Sequence, residues 1–207
     1  MSRPRGSSRS WRERQERDPF VRRARQEGWR SRAVFKLEEL DRKARLFRPG
    51  MVVVDLGAAP GGWAQYATEK LKGNGRILAL DLLAMDALPD VEVLQGDFSS
   101  DEGLDALLER LGDSRADLVI SDMAPNLSGT KALDQPRSMY LAELALDFAG
   151  RVLAEGGDFV CKLFQGEGTD ALIVAARRRF ERVKVVKPSA SRSRSSEVYL
   201  VARNYRL

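Results

Sequence analysis

Apolar positions recur along this chain at two different spacings, and the change falls at Gly50. Before it, Ala33, Leu37, Leu40, Ala44 and Phe47 follow one another at intervals of three and four, the stripe of a helix with one buried face. That spacing predicts a helix over 31–47, with Ser31 as its N-cap and Pro49-Gly50 as its stop. Lys36 lies three residues after Ala33 and four before Leu40, so it sits at the edge of the apolar stripe. A charge there is odd unless it is aimed at something.

After Gly50, short apolar runs alternate with helical patterns. Strands are predicted at 51–57, 76–83, 91–98, 116–123, 157–164, 183–188 and 197–204, and helices at 61–71, 104–111, 136–154 and 169–180. Strand–helix alternation with continuous apolar strands marks a mostly parallel sheet covered on both faces. No helix separates the last two strands, so they are expected to pair antiparallel at one end of the sheet. The fold class is therefore α/β: a seven-stranded, mostly parallel sheet with an antiparallel last strand and helices on both sides. The chain shows no internal repeat.

Composition narrows the chemistry. Among 207 residues there is no His and one Cys, Cys161. A Ser-His-Asp or Cys-His nucleophile cannot be built, nor a His-ligated or multi-Cys metal site, nor an internal disulfide. Any acid–base catalyst must be Asp, Glu, Lys or Tyr, and no metal is expected. The charge is uneven. Residues 1–32 hold eleven Arg against Glu13, Glu16, Asp18 and Glu27, a net of +7, whereas the remaining 175 residues carry 24 basic and 26 acidic groups. A basic arm of this kind usually meets a polyanion, nucleic acid first. The expected division is a basic, partly disordered arm over 1–30 and one domain over 31–207. No apolar run is long enough for a membrane span. The start lacks the apolar core of a secretory signal, and its acidic residues argue against a transit peptide, so a cytoplasmic protein is expected.

The ends of the predicted strands carry the candidate chemistry. In an open parallel sheet, ligands bind outside the carboxyl ends of the strands. Those ends read Asp55 and Gly57, Asp81, Asp97 and Asp122, and Lys162 stands inside the apolar run Phe159-Val160-Cys161-Lys162-Leu163-Phe164. If the last strand runs antiparallel, its first residue, Glu197, joins the same edge. A single strand-end Asp is commonly a loop cap; four in succession plus a buried-strand Lys point to a site. The loop Asp55 to Trp63 has glycines that let a ligand approach the backbone. It is not a P-loop, because Trp63 stands where the phosphate-binding Lys belongs, and Ala59 breaks the dinucleotide pattern. With Asp81 placed to accept from a ribose diol and Asp97 from an adenine amino group, a nucleoside without phosphates fits, S-adenosylmethionine among them.

The segments SRAVFKL (31–37), VVVDLGAAPGGWAQ (52–65), LALDLL (78–83), QGDF (95–98), DLVISDMAPNLSG (117–129), FVCKLFQG (159–166) and SRSSEVYLVA (193–202) together resemble the FtsJ/RrmJ-like family, from about Trp11 to the end of the chain. The one small departure is Phe35, where Tyr is expected in many relatives. The resemblance implies a class I, Rossmann-like, S-adenosylmethionine-dependent 2′-O-ribose methyltransferase of 23S ribosomal RNA, acting on a uridine of the A-loop. It implies a catalytic tetrad of Lys36, Asp122, Lys162 and Glu197. It also implies cofactor contacts at Gly57, Gly61, Trp63, Asp81, Asp97 and Asp122.

The expected partner is large-subunit ribosomal RNA, met by a monomer. Phosphate contacts are expected from the arm, with Arg178, Arg179, Arg192 and Arg194 as weaker candidates, and Trp11, Phe20 and Trp29 either stack on bases or pack on the domain. Lys162 is the expected general base; its other role is to stay charged and stabilise a developing alkoxide. Three other readings stay open at this level: methylation of another RNA, such as a transfer RNA or a cap; a non-catalytic RNA-binding assembly factor; and, more distantly, a nicotinamide-dependent dehydrogenase.

Overall fold

The computed structural model describes residues 18–126 and 128–207; the expectations for residues 1–17, Trp11 included, lie outside them. A short helix, α1 (Pro19–Glu27), comes first. The Asp18 carboxylate accepts from the Phe20 amide at its N-terminus, Pro19 occupies the first turn, and Gly28 in the left-handed region closes it. Its Val21 and Ala24 are buried. The Phe20 ring lies 5.7 Å from that of Phe35. Within the described residues, α1 therefore packs its apolar face on the domain, although it falls in the segment expected as part of the arm.

Helix α2 (Val34–Ala44) is shorter than the predicted 31–47. The Ser31 hydroxyl accepts from the Ala33 amide, a turn that precedes the helix instead of capping it. Arg45, in the left-handed region, ends it. Phe47 then leaves the helix and packs its ring 5.7 Å from that of Tyr66.

The remaining elements follow the predicted order: β1 (Met51–Leu56), α3 (Gly62–Leu71), β2 (Gly75–Asp81), β3 (Val91–Gln95), α4 (Asp101–Leu111), β4 (Ala116–Ser121), α5 (Lys131–Val152), β5 (Leu153–Phe164), α6 (Thr169–Arg179), β6 (Phe180–Val186) and β7 (Glu197–Tyr205). The largest shift is at α5, which starts five residues before the predicted 136 and carries Pro136 inside its second turn. The sheet order is β3-β2-β1-β4-β5-β7-β6, with β7 antiparallel to both neighbours and every other pair parallel. Chain order reverses between β1 and β4, so the crevice outside their carboxyl ends is the natural ligand site.

Strand periodicity sorts the side chains into two cores. Phe159, Cys161 and Leu163 of β5, with Val198, Leu200 and Ala202 of β7, face α5 and α6. Val53, Ile120, Val160, Tyr199 and Val201 face α2 and α3. The same parity places Asp55, Asp122, Lys162 and Glu197 on the α2–α3 side. Among the described residues no helix is long and apolar enough to cross a membrane.

Candidate active site

Lys162 belongs by parity to the apolar α2–α3 face but sits two residues from the end of β5. Its side chain is only 8% exposed. Its Nζ donates to the Asp122 backbone oxygen at 2.6 Å and lies 3.2 Å from Asp122 Oδ1. Asp122 follows the last residue of β4, the neighbouring strand, which explains how two residues 40 apart in sequence meet.

A second pair lies beside the first. The antiparallel register sets Glu197 opposite Phe164 and Tyr199 opposite Lys162. Lys36 crosses from α2 to reach Glu197, with its Nζ 2.7 Å from Oε1 and 2.9 Å from Oε2. The Ser191 hydroxyl donates to the same Oε1 at 2.7 Å. Tyr199 joins the pairs: its hydroxyl donates to Asp122 Oδ1 at 2.6 Å, and Lys36 Nζ stands 5.8 Å from its ring centre. Burial, then the field of Asp122 and Glu197, holds the Tyr199 phenol well above its usual range, so it stays a donor. The four expected tetrad residues are thus brought together. Tyr199 and Ser191 were missed by sequence reasoning. Tyr199 carried a signal, since it shares a strand face with Glu197 at a spacing of two; Ser191 carried none.

On the other side of Asp122 a cavity of about 440 Å³ opens over the ends of β1, β2, β3 and β4. Gly57, Asp81, Asp97 and Asp122 line it, and among the described residues no Lys or Arg does. Gly57, at φ +74°, is required there: a Cβ would lie 2.7 Å from the Met123 side chain and 3.0 Å from its backbone. Asp81 ties the loop down, accepting from the Ala59 amide at 2.9 Å and the Leu83 amide at 2.8 Å, one bond per oxygen, which leaves each a lone pair for a ligand. The Ser99 hydroxyl and amide both donate to Asp97 Oδ1 and hold its carboxyl below the usual range, an ionised acceptor at the cavity rim.

Two expected cofactor contacts do not line this cavity. Gly61 is packed beneath the 85–88 segment, where a Cβ would lie 3.0 Å from Met85 and Leu88. Trp63 is buried against the opposite side; its indole N–H donates to the Ala33 carbonyl at 2.8 Å and its ring lies 5.7 Å from that of Tyr199. The face of α3 that Trp63 occupies turns toward α2, so it fixes the helix that carries Lys36.

Asp55 lies deeper still. It is fully buried on β1, and among the described residues neither oxygen has a hydrogen-bond partner of normal geometry, the Ala64 amide being the weak exception nearby. Burial first, then the charges of Asp122 and Asp81, drive its carboxyl well above the usual range. Among the described residues, no group of three or more acidic or thiol side chains is placed to hold a metal ion.

Several basic residues have structural employment. The Arg30 guanidinium donates to the carbonyls of Pro60, Asp86 and Ala87. Arg32 pairs with Asp18 at 3.2 Å, and Arg192 lies 4.0 Å from it. Arg179 pairs with Asp147 at 2.9 Å. Arg22, Arg25, Arg178 and Arg194 stand exposed without an ion pair among the described residues.

The strand order, the antiparallel β7 and the acidic cavity at the switch point are those of a class I methyltransferase. Residues 29–205 match the FtsJ-like methyltransferase family. Ribosomal RNA large subunit methyltransferase E of Legionella pneumophila (strain Corby) is 55% identical over 207 residues, all of both chains. The Pseudomonas fluorescens protein of that name is 54% identical over 97% of this chain and 96% of its own. A Plasmodium falciparum protein assigned to the ribosomal RNA methyltransferases superposes with a TM-score of 0.77 at 31% identity, covering 86% of this chain and 98% of that one. The chain belongs to the FtsJ-like methyltransferase family.

Proposed function

We propose that this protein transfers a methyl group from S-adenosylmethionine to a ribose 2′-hydroxyl of large-subunit ribosomal RNA, a uridine of the 23S A-loop. The observation that carries this reading is the pair of lysine–carboxylate contacts joined through Tyr199, set at the mouth of a cavity with acidic walls. The cavity suits the donor. Its three carboxylates, with no cation lining it among the described residues, favour a sulfonium and an ammonium and repel a pyrophosphate, which weighs against a nicotinamide dinucleotide. Asp81 would hold the ribose diol and Asp97 the adenine amino group, with the backbone at Gly57 free to approach closely. When bound, S-adenosylmethionine supplies an electrophilic methyl on a sulfonium sulfur.

The residues must then take a proton from a poorly acidic hydroxyl. Lys36 Nζ is engaged by both Glu197 oxygens. Glu197 is filled by Lys36 and Ser191, and Asp122 Oδ1 by Lys162 and Tyr199. Tyr199 is kept a phenol. Lys162 is the proposed acceptor, because its Nζ is nearly buried beside Asp122 at the mouth of the cavity. It receives the 2′ proton on Nζ after releasing its own to solvent. Such base catalysis contributes about 10²–10⁴-fold, while near-attack positioning contributes about 7–11 kcal/mol. Holding the hydroxyl in line is therefore the larger effect.

The division into an arm at 1–30 and a domain at 31–207 belongs to the same reading. Exposed Arg22 and Arg25 on α1 support RNA contact by the basic segment. Action as a monomer, in the cytoplasm where ribosomes are assembled, belongs to this reading. The test is to map 2′-O-methylated positions in ribosomal RNA from cells lacking this protein and from cells given it back. One ribose in large-subunit RNA should lose and regain its methyl; no change, or a change on a base, would refute the assignment.

A further inference from the structure

A second cleft, of about 660 Å³, opens over the ends of β5 and β7, next to the acidic cavity over β1 to β4. Its walls are the first turns of α5, the turn from Phe164 to Glu167 and the segment 194–196. Asp122 and Lys162 stand between the two spaces: Asp122 lines the first, and Lys162 lies two residues before Phe164 on the strand that leads into the second. Ser196, on the cleft wall, is followed by Glu197, itself in register with Phe164. The cleft therefore borders the strand ends that carry Lys162 and Glu197, next to the cavity that Asp122 lines.

The cleft's chemistry differs from that of its neighbour. Phe164 is half-buried, belongs to neither apolar core of the sheet and lines the cleft with its aromatic side chain. Gln135 donates both amide hydrogens, to the Phe164 carbonyl at 2.9 Å and the Glu167 carbonyl at 3.0 Å, which fixes the floor and leaves its Oε1 without a partner among the described residues. Arg194 brings an exposed cation with no ion pair among the described residues; Asp134 and Glu167 also line the cleft, and Asp134 is occupied by the Ser128 amide and hydroxyl and the Gly129 amide. An aromatic face, a fixed acceptor and one free cation are what a nucleotide with a neighbouring phosphate requires.

We infer that this cleft seats the acceptor nucleotide of the RNA, its base against Phe164, a base N–H donated to Gln135 Oε1 and an adjoining phosphate within reach of Arg194. This rests on the proposed function and adds where the RNA strand enters: over β5 and β7, with its ribose turned toward Lys162.

The test compares the full-length protein with Phe164→Leu, Phe164→Trp and Arg194→Ala. Unmethylated large-subunit RNA is the substrate, and cofactor affinity is measured by calorimetry in parallel. Phe164→Leu should raise KM for RNA about tenfold, as loss of one stacked base does. Its kcat and cofactor Kd should stay within about twofold, and Phe164→Trp should restore KM. Arg194→Ala should raise KM about threefold and lower the salt dependence of RNA binding by about one unit of slope. Wild-type KM in both Phe164→Leu and Arg194→Ala, or a matching loss of cofactor affinity, would overturn the assignment. If the wild type transferred no methyl to RNA, the enzymatic reading would fall. RNA affinity of the same variants, measured by fluorescence anisotropy on a large-subunit fragment, would still decide the cleft.

Discussion

The two spaces on either side of Asp122 and Lys162 are made of different material. The acidic cavity is built from strand ends and the glycine loop, where Asp81 accepts from two backbone amides. The second cleft is built from the start of a helix, a turn and a segment rich in Ser and Arg, and side-chain amides hold it together. The first is lined by three carboxylates and, among the described residues, no cation; the second carries Phe164, the exposed Arg194 and two carboxylates, Asp134 and Glu167. A small cationic donor requires a rigid, pre-shaped seat. A strand of RNA requires a surface that faces and stacks on it. The contrast shows that one sheet edge supports both needs by changing which element supplies the walls.

The sharpest way to break this contrast is at the wall between the two spaces. Lys162→Ala should reduce methyl transfer by about 10³-fold or more, with cofactor Kd by calorimetry within about twofold. Near-normal turnover would remove Lys162 from the mechanism. Lys162→Arg separates the two roles of the side chain, because a guanidinium keeps its charge and accepts no proton; it should not rescue transfer.

Next in size is the Lys36–Glu197 pair. Lys36→Ala leaves a nearly buried carboxylate unpaired and should lower stability by about 3 kcal/mol in denaturant unfolding. Adding Glu197→Ala should restore most of that stability without restoring transfer. Full recovery of activity in the double variant would make the pair a structural device only.

Asp81→Ala tests the acidic side alone. Cofactor affinity should fall about 10–100-fold, roughly the loss of charge-assisted bonds to a ligand, while KM for RNA stays unchanged. A shift in RNA KM would mean that the two spaces are coupled and not separate.

The smallest effect lies beneath them. The Asp55 carboxyl is held above its unfolded pKa, so the folded protein binds the extra proton and stability falls as pH rises past the ordinary carboxylate range near 4. Asp55→Asn removes that dependence. It should raise the melting temperature at pH 8 by about 2–4 °C, about 1 kcal/mol for a chain of this size, and the gain should vanish toward pH 4. An equal gain at both pH values would show that Asp55 is ionised in the fold.

The sequence by itself determined the alternation of strands and helices, the antiparallel β7 and the strand-end carboxylates, because those follow from local periodicity and from where strands stop. Lys36 and Lys162 stood out for a related reason: each charge interrupts an apolar pattern. Boundaries were less legible. Pro136 reads as a helix start, yet it sits in the second turn of α5, and Ser31 reads as a cap but forms the turn before α2. Trp63 is adjacent in sequence to the glycine loop, but the helix it begins turns it toward α2, away from the acidic cavity. Only the tertiary structure decided these, and only it brought Tyr199 onto Asp122 and Ser191 onto Glu197. A hydrogen bond across 77 residues leaves no trace in local spacing; it depends on strand register and helix packing, which the whole chain settles together.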